Sequence, residues 1–208
     1  MSSMTDRAYS ALRAQLLDGT MHPHQRLVEM DLVESLGANR AAVREALARL
    51  EQEGLVERRA NRGVTVKAVS PEEAHDVLEM RIAIESLAVR WACERQTEQQ
   101  SDQLRELLGH IEQQTQDGDT AGIVEQQARV HHMILDMAAS PKLVAIAHSL
   151  SAQTAQIRRR SLTTPGRLPE SLAEHRRIAE AILARDAERA ASEMTQHLRR
   201  VQAVSLHA

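Results

Sequence analysis

Three short helical periodicities followed by two alternating segments, all within the first 67 residues, leave few folds open to the front of this chain. Tyr9, Leu12, Leu16 and Leu17 fall on one stripe of a helix from Thr5 to about Leu17, ended by Asp18-Gly19. A second helix covers about Glu29 to Leu36 and stops at Gly37. The third starts behind Asn39, whose short polar side chain suits an N-cap, buries Val43, Ala46, Leu47 and Leu50, and ends at Gly54. Leu55–Arg59 and Gly63–Lys67 then read as strands, because Val64 and Val66 alternate with Thr65 and Lys67, and Asn61-Arg62-Gly63 supplies the turn. Helix, helix, helix, hairpin is the order of a winged helix-turn-helix.

Ser70-Pro71-Glu72-Glu73 opens a new helix in three ways at once, with a cap, a proline at the first helical position and a capping-box glutamate. The expected division is therefore residues 1–69 and 70–208. Beyond it the period is helical throughout, predicting about six helices near 71–95, 98–115, 120–138, 141–160, 169–184 and 187–204. Asp117-Gly118-Asp119, Ser140-Pro141 and Thr163-Thr164-Pro165-Gly166 mark the breaks, and Asp186 caps the last helix. Tyr9 and Trp91 are the sole aromatic residues in 208, which weighs against an all-β fold, so the expected class is mainly α with one small hairpin. The lone Cys93 cannot form an internal disulfide. With no apolar run of membrane-spanning length and no secretory signal, a cytoplasmic protein without membrane contact is expected.

A net charge of −3 argues against nucleic-acid binding only if charge is spread evenly, and it is not. Residues 39–67 carry seven basic and four acidic residues, whereas residues 71–208 carry 16 and 20. Arg40 and Arg44, at i and i+4, share a solvent face of the third helix near its N-terminus, where arginine forks reach guanine edges. Arg49 lies about 140° round from Arg44 and is expected on phosphate or in an internal ion pair. Pairing with nearby glutamates on a solvated helix is the plain alternative for each arginine.

The segment LVEMDLVESLGANRAAVREALARLEQEGLVERRANRGVTV resembles the DNA-binding domain of the GntR family of bacterial transcription regulators, in its VREAL core, its GLV segment and its wing glycine. That resemblance covers about residues 5–67. It implies DNA contacts from Arg40 and Arg44, contact from Arg49, and a wing tip at Arg62-Gly63 in the minor groove. Val28 stands where the family often has a capping serine, and Ala38-Asn39 replaces a more usual Val-Ser.

In the second part, His175 and His197 are equidistant from the turn at Arg185-Asp186, so an antiparallel hairpin sets them face to face, each ~15 Å from the turn. His131 shares a helix face with Gln127 at i−4. Three imidazoles and one oxygen donor make a candidate metal site for zinc, nickel, iron or copper. Residues 71–204 also resemble the all-helical FCD ligand-binding domain of FadR-type GntR regulators, through EMRIAIESLA, VHHMILDMAASPKLV and EHRRIAEAILARDAERAASEMTQHL. The resemblance implies a metal held by an Asp and three His beside a small carboxylate effector. His131, His175 and His197 match the histidines, Gln127 occupies the Asp position, and Arg81 matches a position near the effector cavity. Arg81 also pairs with Glu85 at i+4 by spacing alone. His132 projects about 100° from His131 and stays outside the site. Arg158, Arg159 and Arg160 suit a helix C-terminus, though one could receive a carboxylate.

The expectation is a homodimeric regulator that binds double-stranded operator DNA and responds to a small molecule, a carboxylate, beside a bound divalent transition metal. Two alternatives remain at this level: the ion itself is the effector, or the three histidines form a helical metalloenzyme centre that activates water.

Overall fold

Two of the three front helices start behind a residue whose side chain caps them. The computed structural model describes residues 3–59, 63–117 and 120–205. Helix α1 spans Met4–Asp18 behind a capping box of Ser3 and Asp6, and Gly19 ends it in the left-handed conformation. Helix α2, Glu29–Leu36, starts at Val28 with no side-chain cap, so the missing serine has its local consequence. Helix α3, Arg40–Gln52, is capped by Asn39, whose Oδ1 accepts from Ala42 N at 2.8 Å. Strands β2, Val56–Arg59, and β3, Gly63–Val66, pair antiparallel with Arg58 opposite Val64. A third strand, β1 at Arg26–Leu27, adds to the other edge of β3. Two residues are too few to show an alternating pattern, so this strand has no signature in the sequence.

The core of this unit joins the stripes of the three helices to the inward side chains of the hairpin. Leu12, Val43, Leu47 and Leu50 are fully buried, with Leu16, Val64 and Val66 close to it. At ~1.5–3 kcal/mol per large aliphatic side chain, such burial is the main force that orders so short a domain.

The remaining helices are α4 (Pro71–Arg95), α5 (Glu98–Asp117), α6 (Thr120–Met137), α7 (Pro141–Ser149), α8 (Ser151–Leu162), α9 (Arg167–Leu183) and α10 (Ala187–Ser205). The helix expected over 141–160 is thus two, broken at Leu150. By contacts the chain falls into two units, residues 1–70 with 149–157, and residues 71–148 with 158–208. The first turns of α8 therefore pack with the N-terminal unit. Ala152 enters its core, Ser151 Oγ accepts from Arg13 at 2.8 Å, and Gln156 Nε2 donates to the Lys67 carbonyl at 2.8 Å.

In the second unit α4, α9 and α10 pack closely because alanine lines their contacts: Ala88, Ala92, Ala179, Ala181 and Ala190 are all fully buried. Ile134, Met137, Ile178, Ile182, Met194 and Leu198 fill the space between them. Arg185 turns the chain between α9 and α10 at φ +57°, and Asp186 Oδ1 accepts from Arg189 N at 3.0 Å. Arg185 also donates to the carbonyls of Cys93 and Gln96, fixing the hairpin that carries two of the three candidate histidines. Among the described residues no helix is long and apolar enough to cross a membrane.

Candidate functional site

His131 on α6, His175 on α9 and His197 on α10 meet inside the second unit, at 8%, 3% and 3% exposure. The hairpin geometry expected for His175 and His197 is present, with ring centroids 4.6 Å apart. His131 lies 5.0 Å and 5.4 Å from the other two rings, and candidate ligand atoms of all three fall within 4.8 Å of one another.

What the outer nitrogens do is more informative than the distances. His131 Nδ1 meets Glu85 Oε2 at 2.6 Å, His197 Nδ1 meets Glu174 Oε2 at 2.6 Å, and His175 Nδ1 meets the Ser171 carbonyl at 2.7 Å. Burial by itself would raise Glu85, but Arg81 and His131 outweigh it and hold the carboxyl well below the usual range. Glu174 is lowered too, since hydrogen bonds from His197 and Arg167 overcome its burial. Both carboxylates are thus ionised acceptors, and all three Nδ1 atoms must be donors. Burial pushes His197 down to about 4 and His175 well below its ordinary value, so both are neutral at pH 7 with lone pairs on Nε2.

Yet His131 Nε2 lies 3.0 Å from His175 Nε2. Two lone pairs at that distance repel unless a positive species sits between them. A proton on one ring serves one such contact, whereas a metal ion serves all three nitrogens. The arrangement also has the usual outer partners of a metal site, an acceptor fixing each imidazole's tautomer and aim. These three buried histidines could hold a metal ion, and their donor set suits one.

Gln127 is 1% exposed beside them, but its Oε1 accepts from Ser171 Oγ at 2.9 Å and its Nε2 has no partner. Gln127 borders the same small cavity as the three imidazoles, with one lone pair of its amide oxygen engaged by Ser171. His132 is exposed and stacks near His148, outside the cluster as expected.

A cavity of ≈ 20 Å³ adjoins the three rings, bordered also by Arg81, Gln127, Arg158, Ser161 and Arg167. Arg81 Nε donates to Glu85 Oε1 at 2.6 Å, so its i+4 pair and its place at the cavity are both present. Arg167 Nη2 donates to Glu174 Oε2 at 2.6 Å, while its Nε and Nη1 are buried without partners. Burial and the nearby Arg81 charge push Arg158 down to about 10, so it remains a cation at neutral pH.

Sequence reasoning missed the network around the histidines. Glu174 precedes His175 directly, a spacing that separates their directions by about 100° and hides the fact that Glu174 serves His197 on the next helix. Arg167, at i−7 from Glu174, stands just after the Pro-Gly break and looks from sequence like a solvated helix start.

In the first unit Arg40 and Arg44 stand side by side on α3, with side chains 67% and 62% exposed. Both lean on one carboxylate, Glu29 of α2, at 3.3 Å and 3.7 Å. Pairs this exposed contribute at most ~1 kcal/mol, so both arginines can exchange Glu29 for another anion. Arg49 meets Asp6 at 3.0 Å and stacks 3.9 Å over the Tyr9 ring, so its ion-pair alternative is present. Arg62 lies outside the described residues. Gly63 is exposed at φ +73° with open space around its Cβ position, so the turn's backbone rather than crowding calls for glycine there.

Comparison with known proteins accounts for both units. Residues 4–66 match the gntR family of bacterial regulatory proteins, and residues 76–200 match the FCD domain. The HTH-type transcriptional regulator YdhC of Bacillus subtilis is 25% identical over 91% of this chain and 85% of its own. The Nta operon transcriptional regulator of Aminobacter aminovorans is 31% identical over 62% of this chain and 61% of its own. Among solved structures, McbR/YncC of E. coli superposes with a TM-score of 0.87 at 25% identity, covering 100% of this chain and 99% of that one. This chain belongs to the gntR family of bacterial regulatory proteins, as a DNA-binding transcription regulator with a C-terminal FCD domain.

Proposed function

We propose that this protein is an effector-responsive regulator in which a three-His metal centre and a small carboxylate control operator binding. The observation that carries this reading is the set of three imidazoles aimed inward with every Nδ1 engaged by an acceptor. His131, His175 and His197 would hold a divalent transition ion such as zinc or nickel, which supplies a Lewis-acid position for a ligand carboxylate. Arg81 borders that position and stays oriented by Glu85. In the first unit, Arg40 and Arg44 would read base edges, with Gly63 shaping a wing beside Arg62 at the minor groove and Arg49 bracing α3 against α1. A homodimer on a pseudo-palindromic operator follows from the limited surface of one winged helix and the two-fold logic of such sites. Effector binding then shifts the population between forms with high and low operator affinity.

The small cavity favours a second reading, in which the ion itself is the effector: ≈ 20 Å³ is room for little beyond an ion and a water. A hydrolytic three-His centre has less support, because Glu85 and Glu174, the nearest acids, are spent on imidazoles and guanidinium groups instead of facing a water. Thermal-shift measurements with small carboxylates, with and without zinc, combined with operator binding by fluorescence anisotropy, separate the readings. Carboxylate-dependent stabilisation that alters operator affinity supports the first. A response to metal alone supports the second, and a protein that takes up neither refutes both. Light scattering that finds a monomer both free and on operator DNA would contradict the dimer.

A further inference from the structure

Helix α4 carries apolar side chains on its outer face as well as its inner one. Leu78, Arg81, Glu85, Ala88 and Ala92 are buried, whereas Met80 and Leu87 are 44% and 40% exposed and Ile84 and Trp91 are half-buried. These last four are spaced 4, 3 and 4 residues apart, so they fall within a stripe about 60° wide on the helix. Apolar side chains scattered singly over a surface are ordinary. Four on one stripe make a continuous seam, with the alternating spacing by which one helix packs on another. Arg95 stacks 4.2 Å over the Trp91 ring and steadies that end of it.

The seam is its own complement. Its spacing reads the same in both directions about a point between Glu85 and Ser86. A two-fold axis at that point, with a second α4 running antiparallel, sets Ile84 against the second copy's Leu87 and Met80 against its Trp91, which fills four consecutive layers with large apolar side chains. The charges along the flank obey the same symmetry. Glu79 and Arg90 lie on one side of the stripe, about 20° apart round the helix, and each is paired with α10, Glu79 with Arg199 and Arg90 with Glu188. In the antiparallel arrangement Glu79 comes within ~3 Å, along the axis, of the second copy's Arg90, so carboxylates of one rim stand beside guanidinium groups of the other. A parallel arrangement would set Glu79 on Glu79 and Arg90 on Arg90.

We infer that the outer face of α4 is the surface on which a second copy of this chain docks, antiparallel, about a two-fold axis at Glu85-Ser86. The inference rests on the proposed homodimer and names the face that forms it. Burial of the apolar seam drives the pairing. The rim ion pairs, already formed within each protomer, set its direction more than its strength. An unrelated apolar partner would need neither the symmetric spacing nor the alternating rim.

Light scattering on full-length wild type and on Leu87→Glu tests the face. The side chain is exposed in the single chain, so the variant should keep its helical circular dichroism, while its dimer dissociation constant rises at least tenfold. Met30→Glu, at an apolar position 61% exposed on α2, should remain a dimer. Crosslinking tests the register with no charge placed in the seam. The axis leaves the two Leu87 positions ~5 Å apart along the helices and the two Met80 positions ~16 Å apart. A short bismaleimide should therefore join Leu87→Cys chains and spare Met80→Cys chains, the native Cys93 being buried. A wild-type dimer that persists in Leu87→Glu, or Met80→Cys joined as readily as Leu87→Cys, overturns the antiparallel α4 seam and leaves the homodimer reading standing. A wild type that is monomeric both free and on operator DNA overturns both.

Discussion

Glu174→Gln should weaken both the fold and the metal centre, although it preserves the shape of the side chain. At 2% exposure the carboxylate accepts from Arg167 Nη2 and His197 Nδ1, both at 2.6 Å on Oε2, and from Arg200 Nη1 at 3.1 Å on Oε1. The amide offers one oxygen in place of two and turns an N–H₂ toward groups that are themselves donors. Arg167, already without partners on Nε and Nη1, loses in a buried setting the one countercharge it has among the described residues. Breaking a buried ion pair costs ~3–5 kcal/mol. Arg200 is 48% exposed and recovers water, and the amide oxygen retains one bond, so the lower end, about 3 kcal/mol, applies. For a chain of this size that lowers Tm by roughly 6–12 °C. Metal affinity should fall ~10–100-fold as His197 loses the acceptor that fixes its Nδ1 proton. Differential scanning calorimetry and competition with a chromophoric chelator read the two effects. Glu193→Gln is the control, because its pair with Arg177 at 3.0 Å is partly exposed and worth at most ~1 kcal/mol. A Glu174→Gln protein with wild-type Tm and metal affinity would refute the reasoning.

Arg40→Ala and Arg44→Ala should each weaken specific operator binding by ~1–3 kcal/mol in anisotropy titrations, with little change in Tm because both side chains are mostly exposed; unchanged affinity in both would remove α3 from base reading. Gln127→Asp should tighten metal binding by placing a charged oxygen beside the imidazoles, and a chelator competition that finds no gain would show that the position faces something other than a cation. Acid should destabilise the metal-free protein early. His197 is pushed to about 4 in the fold while the unfolded chain titrates near 6.5, so the unfolded state takes the proton first. This contribution is complete above ~6.5 and is lost as pH falls toward 4, at about 1.4 kcal/mol per unit for that residue. Melting curves that do not change between pH 7 and 5 would contradict it.

The parts of the fold that follow from local rules were legible in the sequence. Asn39, Gly37, Pro71 and Asp186 act at helix ends through their own backbone chemistry, so they mark boundaries whatever surrounds them. The pairing of His175 with His197 was equally readable, because a helical hairpin is fixed by its turn. The strand at Arg26–Leu27 and the grouping of residues 149–157 with the first unit were not, since each exists only through partners distant in sequence. The same holds at the site. A histidine motif identifies candidate ligands, but Arg167 and Glu174 acquire their roles only when α9 and α10 are side by side, and the Gln127 amide took its orientation from Ser171.

The most direct test of the metal centre is calorimetric titration of zinc into metal-free wild-type protein and into His175→Ala. His175 adjoins both other rings, with Nε2 3.0 Å from that of His131 and its ring 4.6 Å from that of His197. The account predicts about one ion per chain in the wild type and none in the variant, with operator binding by the variant retained but no longer altered by zinc or by a small carboxylate. No uptake by the wild type, or equal uptake by His175→Ala, would mean that the three histidines line an ordinary polar cavity and hold only a shared proton.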